Sequence, residues 1–160
     1  MAESTSKGFS ERPYPGLLSG ARVETRSPWS APAEKGSTMR TIIDVMTGSP
    51  ITAARIDAIG GLRDAMAHSG VHCIPVIDGD GHPIGIVSSF DLVEQTWASQ
   101  PVEDVMTTKV FTIGAHQSVP EAANMMRTHF VHHLVVVDLA NEVVGVVSSL
   151  DLLEDLLDID

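Results

Sequence analysis

One short stretch decides the fold because it occurs twice, as Gly85-Ile86-Val87-Ser88-Ser89-Phe90-Asp91-Leu92 and as Gly145-Val146-Val147-Ser148-Ser149-Leu150-Asp151-Leu152. The two copies of this stretch are 60 residues apart, and a shift of 60 residues superposes residues 41–97 on residues 101–157 without a gap. The other shared runs are Asp44-Val45-Met46-Thr47 with Asp104-Val105-Met106-Thr107, and Val71-His72 with Val131-His132. A duplicated unit that also repeats its polar residues predicts two related sites, or one interface seen twice, rather than a single asymmetric active site.

Each copy is predicted to run strand, helix, strand, strand, helix. The predicted elements are an extended segment ending at Thr52 or Thr112, helices over 58–68 and 118–129, strands over 74–78, 84–88, 134–138 and 143–148, and final helices from Ser89 and Ser149. Helical spacing assigns these side chains to the core: Ile59, Leu62, Met66, Leu92, Val93, Val119, Ala122, Ala123, Met126, Leu152, Leu153 and Leu156. Gly79-Asp80-Gly81 is a strong hairpin signal. One such unit buries little surface alone, so we expect two units packed face to face in an α+β fold.

Composition limits the possible functions. The 160 residues carry a formal net charge of −11, yet residues 1–38 hold five of the ten Lys and Arg residues, so the repeats are strongly acidic. So little positive charge disfavours nucleic-acid binding. No apolar run reaches the roughly 20 residues that a membrane helix needs, and residues 1–38 lack the continuous apolar stretch typical of a secretory leader, so we expect a cytoplasmic protein without a membrane partner. Residues 1–38 are predicted to be a disordered tail.

The repeated motif joins a strand directly to the start of a helix. Backbone N–H groups at a helix start favour an anion, Ser88 or Ser148 can donate to a phosphate, and Asp91 or Asp151 can accept from a ribose diol. The motif therefore suits a nucleotide. Ser-x-x-Asp is also close to a capping box, in which the serine caps the helix and the acidic residue reaches back. The sequence leaves both interpretations open.

The three motifs in this order, twice in tandem, resemble a pair of cystathionine beta-synthase (CBS) domains, also called a Bateman module. The resemblance covers residues 41–157 and implies CBS domains at 39–99 and 100–160 after the tail. It implies a non-catalytic regulatory module whose two clefts bind AMP, ADP, ATP or S-adenosylmethionine. It also implies a homodimer of pairs that signals to a regulated protein. No cofactor is obligatory, although the nucleotide could bring magnesium.

The resemblance also implies which side chains line the clefts. The first cleft would use Ile51, Thr52, Val71 and His72 with Ser148 and Asp151, and the second would use Phe111, Thr112, Val131 and His133 with Ser88 and Asp91. Aliphatic side chains would hold the base, the aspartates the ribose, and the serines and histidines the phosphate. Relatives often have an arginine where this chain has Cys73 and His133, so we expect weaker phosphate binding, especially in the first cleft. The second cleft is therefore the stronger candidate.

Other functions are less well supported. His129, His132 and His133 lie close together, but no cysteine or clustered carboxylate nearby in sequence completes a metal site. The sequence shows neither a nucleophile arranged with a base nor a glycine-rich phosphate loop with a lysine, so it does not predict an enzyme. The single cysteine, Cys73, has apolar neighbours and is expected to be a buried, inert thiol. A ligand-free dimerisation scaffold with the same fold remains the alternative to a nucleotide-binding module.

Overall fold

The structure is a computed structural model and describes residues 40–93 and 97–157. The predicted tail, residues 1–38, and the repeated Glu94 lie outside these ranges. The described chain is built of five helices, seven strands and one 3₁₀ turn, in this order: α1 Ile42–Val45, β1 Thr47–Gly48, β2 Ala53–Ala54, α2 Ile59–Ser69, β3 Cys73–Ile77, β4 Pro83–Ser88, α3 Ser89–Val93, the 3₁₀ turn Val102–Asp104, β5 Thr112–Gly114, α4 Val119–His129, β6 His133–Val137, β7 Val143–Ser148 and α5 Ser149–Leu157.

The strands form two sheets, one for each copy of the repeat. The first has the order β2-β3-β4, and the second has the order β1-β7-β6-β5. In both sheets the short strand before the long helix runs parallel to its neighbour, and the two long strands form an antiparallel hairpin. The predicted α+β class and the strand, helix, strand, strand, helix order are therefore confirmed. The predicted position of the first strand is wrong in both copies, because β2 begins at Ala53 rather than ending at Thr52, and β5 begins at Thr112 rather than ending there.

The two copies are related by a pseudo-twofold axis, since backbone hydrogen bonds recur between them in reciprocal form. The N–H group of Ile42 donates to the carbonyl of Gln117, and the N–H group of Val102 donates to the carbonyl of Asp57, both at 2.9 Å. In each case a residue at the start of one copy binds the loop that precedes the long helix of the other copy. The contact between copies is thus made twice.

The segment at the start of each copy packs into the core of the other. Ile42 is fully buried in the second copy, in a cluster with Ile113, Val119, Ala122, Met126, Leu134, Val136, Val147 and Leu152. Val102 is fully buried in the first copy, with Ala53, Ile59, Leu62, Met66, Ile74, Val76, Val87 and Leu92. Arg40 also forms an ion pair with Asp155 on α5. Neither core is complete without a segment from the other copy.

This exchange of segments between the two copies also extends both sheets. Thr47 in β1 lies opposite Val146 in β7, and Thr107 forms an isolated bridge with Ile86 in β4. The repeated Asp-Val-Met-Thr run is therefore the segment that crosses between copies. Asp44 also caps the short helix α1, because its Oδ2 accepts from the N–H and the hydroxyl of Thr41 at 2.9 and 2.8 Å. These hydrogen bonds hold the pKa of Asp44 below its usual value.

The predicted core is correct for the long helices except at one position, and is wrong for the outer side of the final helices. Ala123 is exposed, and the partly buried Met125 packs against the second core in its place. Only Leu92 and Leu152 of the final helices are buried, whereas Val93, Leu153 and Leu156 are exposed. Each final helix contacts its sheet along a single side, so apolar residues next to that side point to solvent.

Two Asx turns, each formed by an aspartate side chain, close the hairpins. Oδ1 of Asp78 accepts from the N–H groups of Asp80 and His82, and Oδ1 of Asp138 accepts from the equivalent groups of the second copy. These bonds lower the pKa of Asp78, mainly through the N–H of His82. Gly81 has φ +85°, which glycine adopts without strain. Among the described residues, no helix is both long enough and apolar enough to cross a bilayer.

Candidate functional site

The junction between β4 and α3 holds the first copy of the Ser-x-x-Asp motif. Oδ2 of Asp91 accepts from the backbone N–H of Ser88 at 2.7 Å and from its hydroxyl at 2.6 Å. In return, the N–H of Asp91 approaches the serine Oγ at 3.4 Å. These reciprocal contacts form the capping box that the sequence allowed, so one oxygen of Asp91 is already engaged.

The junction between β7 and α5 repeats this geometry. Oδ2 of Asp151 accepts from the N–H and the hydroxyl of Ser148 at 2.6 and 2.7 Å, and the N–H of Asp151 donates to the serine Oγ at 3.2 Å. Both serines and both aspartates are half-buried. The shared Ser-x-x-Asp motif therefore has a structural role in both copies, whatever ligand the chain binds.

The second oxygen of each aspartate lies outside its capping box. Within residues 40–93 and 97–157, Oδ1 of Asp91 and of Asp151 receives no hydrogen bond. No buried side-chain oxygen in that part of the chain lacks a partner, so both Oδ1 atoms reach solvent. An outward-facing carboxylate oxygen on a fixed helix start is a good acceptor for a hydroxyl group. The capping box thus fixes the orientation of each carboxylate and uses only its Oδ2 atom.

The helix starts offer fewer free N–H groups than the sequence suggests. The N–H of Ser89 donates to the carbonyl of His72, and the N–H of Ser149 donates to the carbonyl of His132, both at 2.9 Å. With the capping boxes, these bonds occupy most donors of the first turn. An anion at this place therefore depends mainly on side chains.

Each motif lies beside the residue that starts the neighbouring strand of its own copy. Cys73 is in register with Ser88, and His133 is in register with Ser148. Burial raises the pKa of Cys73 to about 12, and Asp91 adds to this effect. Cys73 is buried, as expected, and a thiol with a raised pKa stays protonated at neutral pH.

His133 is the titratable group at the matching place in the second copy. Burial lowers its pKa below the ordinary value, and the nearby His132 acts in the same direction. Asp151 opposes this shift, while His72 of the first copy reinforces it. The loops before β3 and β6 are therefore close enough for a histidine of one copy to act on a histidine of the other.

The remaining predicted site residues are spread over both copies. Val71 and Val131 pack partly buried against the cores of their own copies, whereas Ile51, Thr52 and His72 are exposed. Thr112 begins β5 in register with Val135. The structure thus brings His133 together with Ser148 and Asp151 of the same copy, and His72 close to His133 across the copies. The assignment of these residues to two ligand clefts stays a prediction.

Phe111 has neighbours that the sequence did not reveal. Its ring stacks on the imidazole of His129 with centroids 4.3 Å apart, and the ammonium group of Lys109 lies 5.1 Å from its centroid. His129 is 18 residues away in sequence, so no local spacing could predict the stack. In the first copy Ser49, Ile51 and Ser69 occupy the equivalent positions, so this aromatic cluster distinguishes the second copy.

Comparison with known proteins agrees with this architecture of two reciprocal α+β units. The CBS domain family matches residues 42–96 and 102–158, so the chain belongs to the CBS-domain family. A homoserine O-acetyltransferase from Methanocorpusculum labreanum is 32% identical over 113 residues, which cover 70% of this chain and 23% of that protein. The chain therefore spans under a quarter of the length of this curated relative.

Solved structures with a similar fold include a CBS domain pair. The CBS domain pair of protein MJ0100, crystallised with 5′-methylthioadenosine and S-adenosyl-L-methionine, is 26% identical with a TM-score of 0.67, covering 74% of this chain and 96% of that one. A putative acetoin utilization protein (AcuB) from Vibrio cholerae is 25% identical with a TM-score of 0.67, covering 76% and 93% of the two chains. The tandem CBS pair expected from the sequence is confirmed.

Proposed function

We propose that this chain is a non-catalytic regulatory module that binds an adenosine-containing ligand between its two CBS domains. The domains span residues 39–99 and 100–160, and the ligand is AMP, ADP, ATP or S-adenosylmethionine. No cofactor is required, and magnesium enters only with a polyphosphate. The bound state is passed to a partner protein in the cytoplasm.

The two outward-facing Oδ1 atoms of Asp91 and Asp151 carry this proposal. A vicinal diol offers two hydroxyl donors, and a carboxylate oxygen held at a fixed helix start is a strong acceptor for them. The aspartates occur at equivalent places of both copies, as expected for two related sites. The MJ0100 pair, which shares this fold at 26% identity, was crystallised with two adenosyl compounds. That likeness favours an adenosine group over other diols.

Calorimetric titration with AMP, ATP, ATP with magnesium, and S-adenosylmethionine tests the proposal on the wild type and on the Asp91→Asn, Asp151→Asn double variant. Asparagine keeps one oxygen for the capping box but replaces the second carboxylate oxygen with an amide group. A hydrogen bond to a charged group contributes about 1.5–3 kcal/mol, so the variant should bind at least tenfold more weakly.

The chain supplies its own matched control. Ser118 and Glu121 form a capping box at the start of α4 with almost the same geometry, since Oε2 of Glu121 accepts from the serine N–H and hydroxyl at 2.7 and 2.8 Å. Glu121→Gln should therefore lower stability like the aspartate changes while leaving ligand affinity intact. Equal affinity in the double variant and in the control would remove these aspartates from the binding site.

A ligand-free dimerisation scaffold is the second candidate, because the closed capping boxes give the motif a structural role without any ligand. This candidate predicts that the melting temperature is unchanged by every adenosine compound. A ligand that binds only the folded state at 100 times its Kd stabilises it by about 2.7 kcal/mol. A thermal-shift series therefore separates the two functions directly.

We also propose that two chains form a homodimer through the outer faces of the final helices. Phe90 and Leu150 occupy the same place in the two copies, as do Val93 and Leu153, and all four side chains are at least half exposed. A symmetric apolar surface suits a second copy of the same chain. Sedimentation of Leu150→Asp, Leu153→Asp should give monomers at concentrations where the wild type is dimeric, and an unchanged dimer would exclude this surface.

A further inference from the structure

The junction between the two copies contains three histidines. His72 and His132 precede strands β3 and β6, and their carbonyl oxygens are fixed by the N–H groups of Ser89 and Ser149 at 2.9 Å. His133 begins β6 opposite Ser148. The backbone of His72 and of His132 is therefore anchored to the same helix starts that carry the two capping boxes, once in each copy.

His133 differs from the other two because it is half-buried, whereas His72 and His132 are exposed. The groups that act on its charge are Asp151 on α5, His132 in its own loop and His72 in the first copy. Only Asp151 favours the protonated imidazole. The free protein therefore keeps His133 neutral near pH 7.

The equivalent place in the first copy cannot acquire positive charge. Cys73 is a buried thiol whose pKa is raised to about 12, so it is neutral throughout the physiological range. Arginine and lysine are also scarce, since residues 39–160 contain only Arg40, Arg55, Arg63, Lys109 and Arg127. A phosphate group near the junction would thus find its best additional cation in a protonated His133.

We propose that phosphate-bearing adenosine ligands bind together with one proton, which is taken up from solvent by the imidazole of His133. This inference rests on the proposed nucleotide-binding function and assigns to it a dependence on pH. The phosphate supplies the negative charge that Asp151 alone does not. Adenosine itself lacks the phosphate and binds without this proton.

Linkage sets the size of the effect. When binding takes up one proton, affinity rises by at most tenfold for each unit by which pH falls, within the window between the pKa of the free and of the bound histidine. AMP affinity should therefore increase several-fold from about pH 8 to about pH 6.5. Adenosine affinity should stay constant over the same range.

The test is calorimetry of AMP and adenosine at pH 6.5 in two buffers of different ionisation enthalpy, which counts the protons exchanged. His133→Gln removes the titrating group and keeps a polar side chain. His68→Gln is the matched control, because His68 is exposed on α2 and its Nδ1 lies 2.7 Å from the carbonyl oxygen of Asp64 in its own helix. The phosphate of AMP also titrates near this pH, but equally for all three proteins.

The expected result is a larger proton uptake for AMP in the wild type and in His68→Gln than in His133→Gln, with no difference for adenosine. Equal uptake in all three proteins overturns the inference while leaving nucleotide binding intact. Absence of heat with every ligand overturns the proposed function as well. If His133→Gln does not fold, proton NMR of the wild type decides, since the His133 titration must move to higher pH when AMP is added.

Discussion

The sulfur atom of Met46 packs directly against Gly145, and Met106 packs in the same way against Gly85. A Cβ atom on residue 145 would overlap that sulfur and would lie 3.1 Å from the carbonyl oxygen of Thr47. The crossing segment thus lies flat on the last strand of the opposite copy because that strand has no side chain there. This relationship explains why both the methionine and the glycine recur in the repeat.

Gly145→Ala should therefore destabilise the protein. The added methyl group must displace Met46 and push back the Thr47 backbone, and overpacking of this kind costs about 1–3 kcal/mol. Gly85→Ala should behave similarly, since Met106 occupies the same place. Gly79→Ala is the control, because a Cβ there meets nothing within 4 Å. Urea unfolding measures all three, and a Gly145→Ala protein as stable as Gly79→Ala would show that the contact yields easily.

Exchange of the crossing segments predicts different effects for two neighbouring isoleucines. Ile42 is fully buried in the core of the second copy, whereas Ile43 is 50% exposed. Truncating a buried isoleucine to alanine costs about 2–5 kcal/mol, so Ile42→Ala should strongly lower the free energy of unfolding. Ile43→Ala should change it by only about 0.5 kcal/mol.

The same pair of variants shows how the copies are linked. Ile42 lies at the start of the first copy in sequence but stabilises the second, so Ile42→Ala should expose amides of β6 and β7 to hydrogen exchange. If the amides of β3 and β4 alone exchanged faster, Ile42 would belong to the first core and the exchange of segments would be wrong.

Local signals in the sequence predicted most of the elements. The Gly79-Asp80-Gly81 turn, the helical spacing of Ile59, Leu62 and Met66, and the helix starts at Ser89 and Ser149 all depend on residues close together in the chain. The exchange of segments between the two copies could not be predicted from such local signals. Repetition of Asp-Val-Met-Thr shows that the run is used twice, but a two-residue strand carries no information about which distant strand it joins.

Prediction of the site had the same limit. The capping box follows from the three-residue spacing of Ser88 and Asp91, so the sequence contained it, although it could not exclude a purely ligand-binding role. The effect of His72 on His133 depends on how the copies pack, and the stack of Phe111 on His129 joins residues on separate elements. Side chains at the edge of a helix face, such as Leu153, were wrongly placed because spacing alone does not give the width of the contact.

Phe130 offers a way to stabilise the protein. It ends α4 with φ +54°, in the left-handed region that favours glycine, and its side chain is 92% exposed. The first copy has Gly70 at the equivalent place with φ +68°. The left-handed conformation costs a residue with a Cβ about 1–2 kcal/mol, so Phe130→Gly should raise the free energy of unfolding by about 1 kcal/mol.

Gly70→Ala is the reciprocal change and should lower stability by a similar amount, since nothing else lies within 4 Å of the added methyl group. Thermal unfolding of both variants compares the two helix ends directly. A less stable Phe130→Gly protein would mean that the aromatic side chain contributes more than the strain it causes.

The lowered pKa of His133 predicts how stability depends on pH. Burial is the main cause, and the unfolded chain has the ordinary value near 6.5, so between the two pKa values the unfolded state binds more protons than the folded state. The free energy of unfolding contributed by this group is therefore full above about pH 6.5 and falls as pH drops through that value toward the folded pKa. The carboxyl groups with lowered pKa values, Asp44, Asp78 and Glu121, lose their contribution only at lower pH.

Urea unfolding at about pH 7.5 and about pH 5.5 should thus show a smaller loss of stability in His133→Gln than in the wild type, with His68→Gln behaving like the wild type. Identical losses in all three proteins would place the neutral His133 in a solvated position, without the burial that keeps it uncharged.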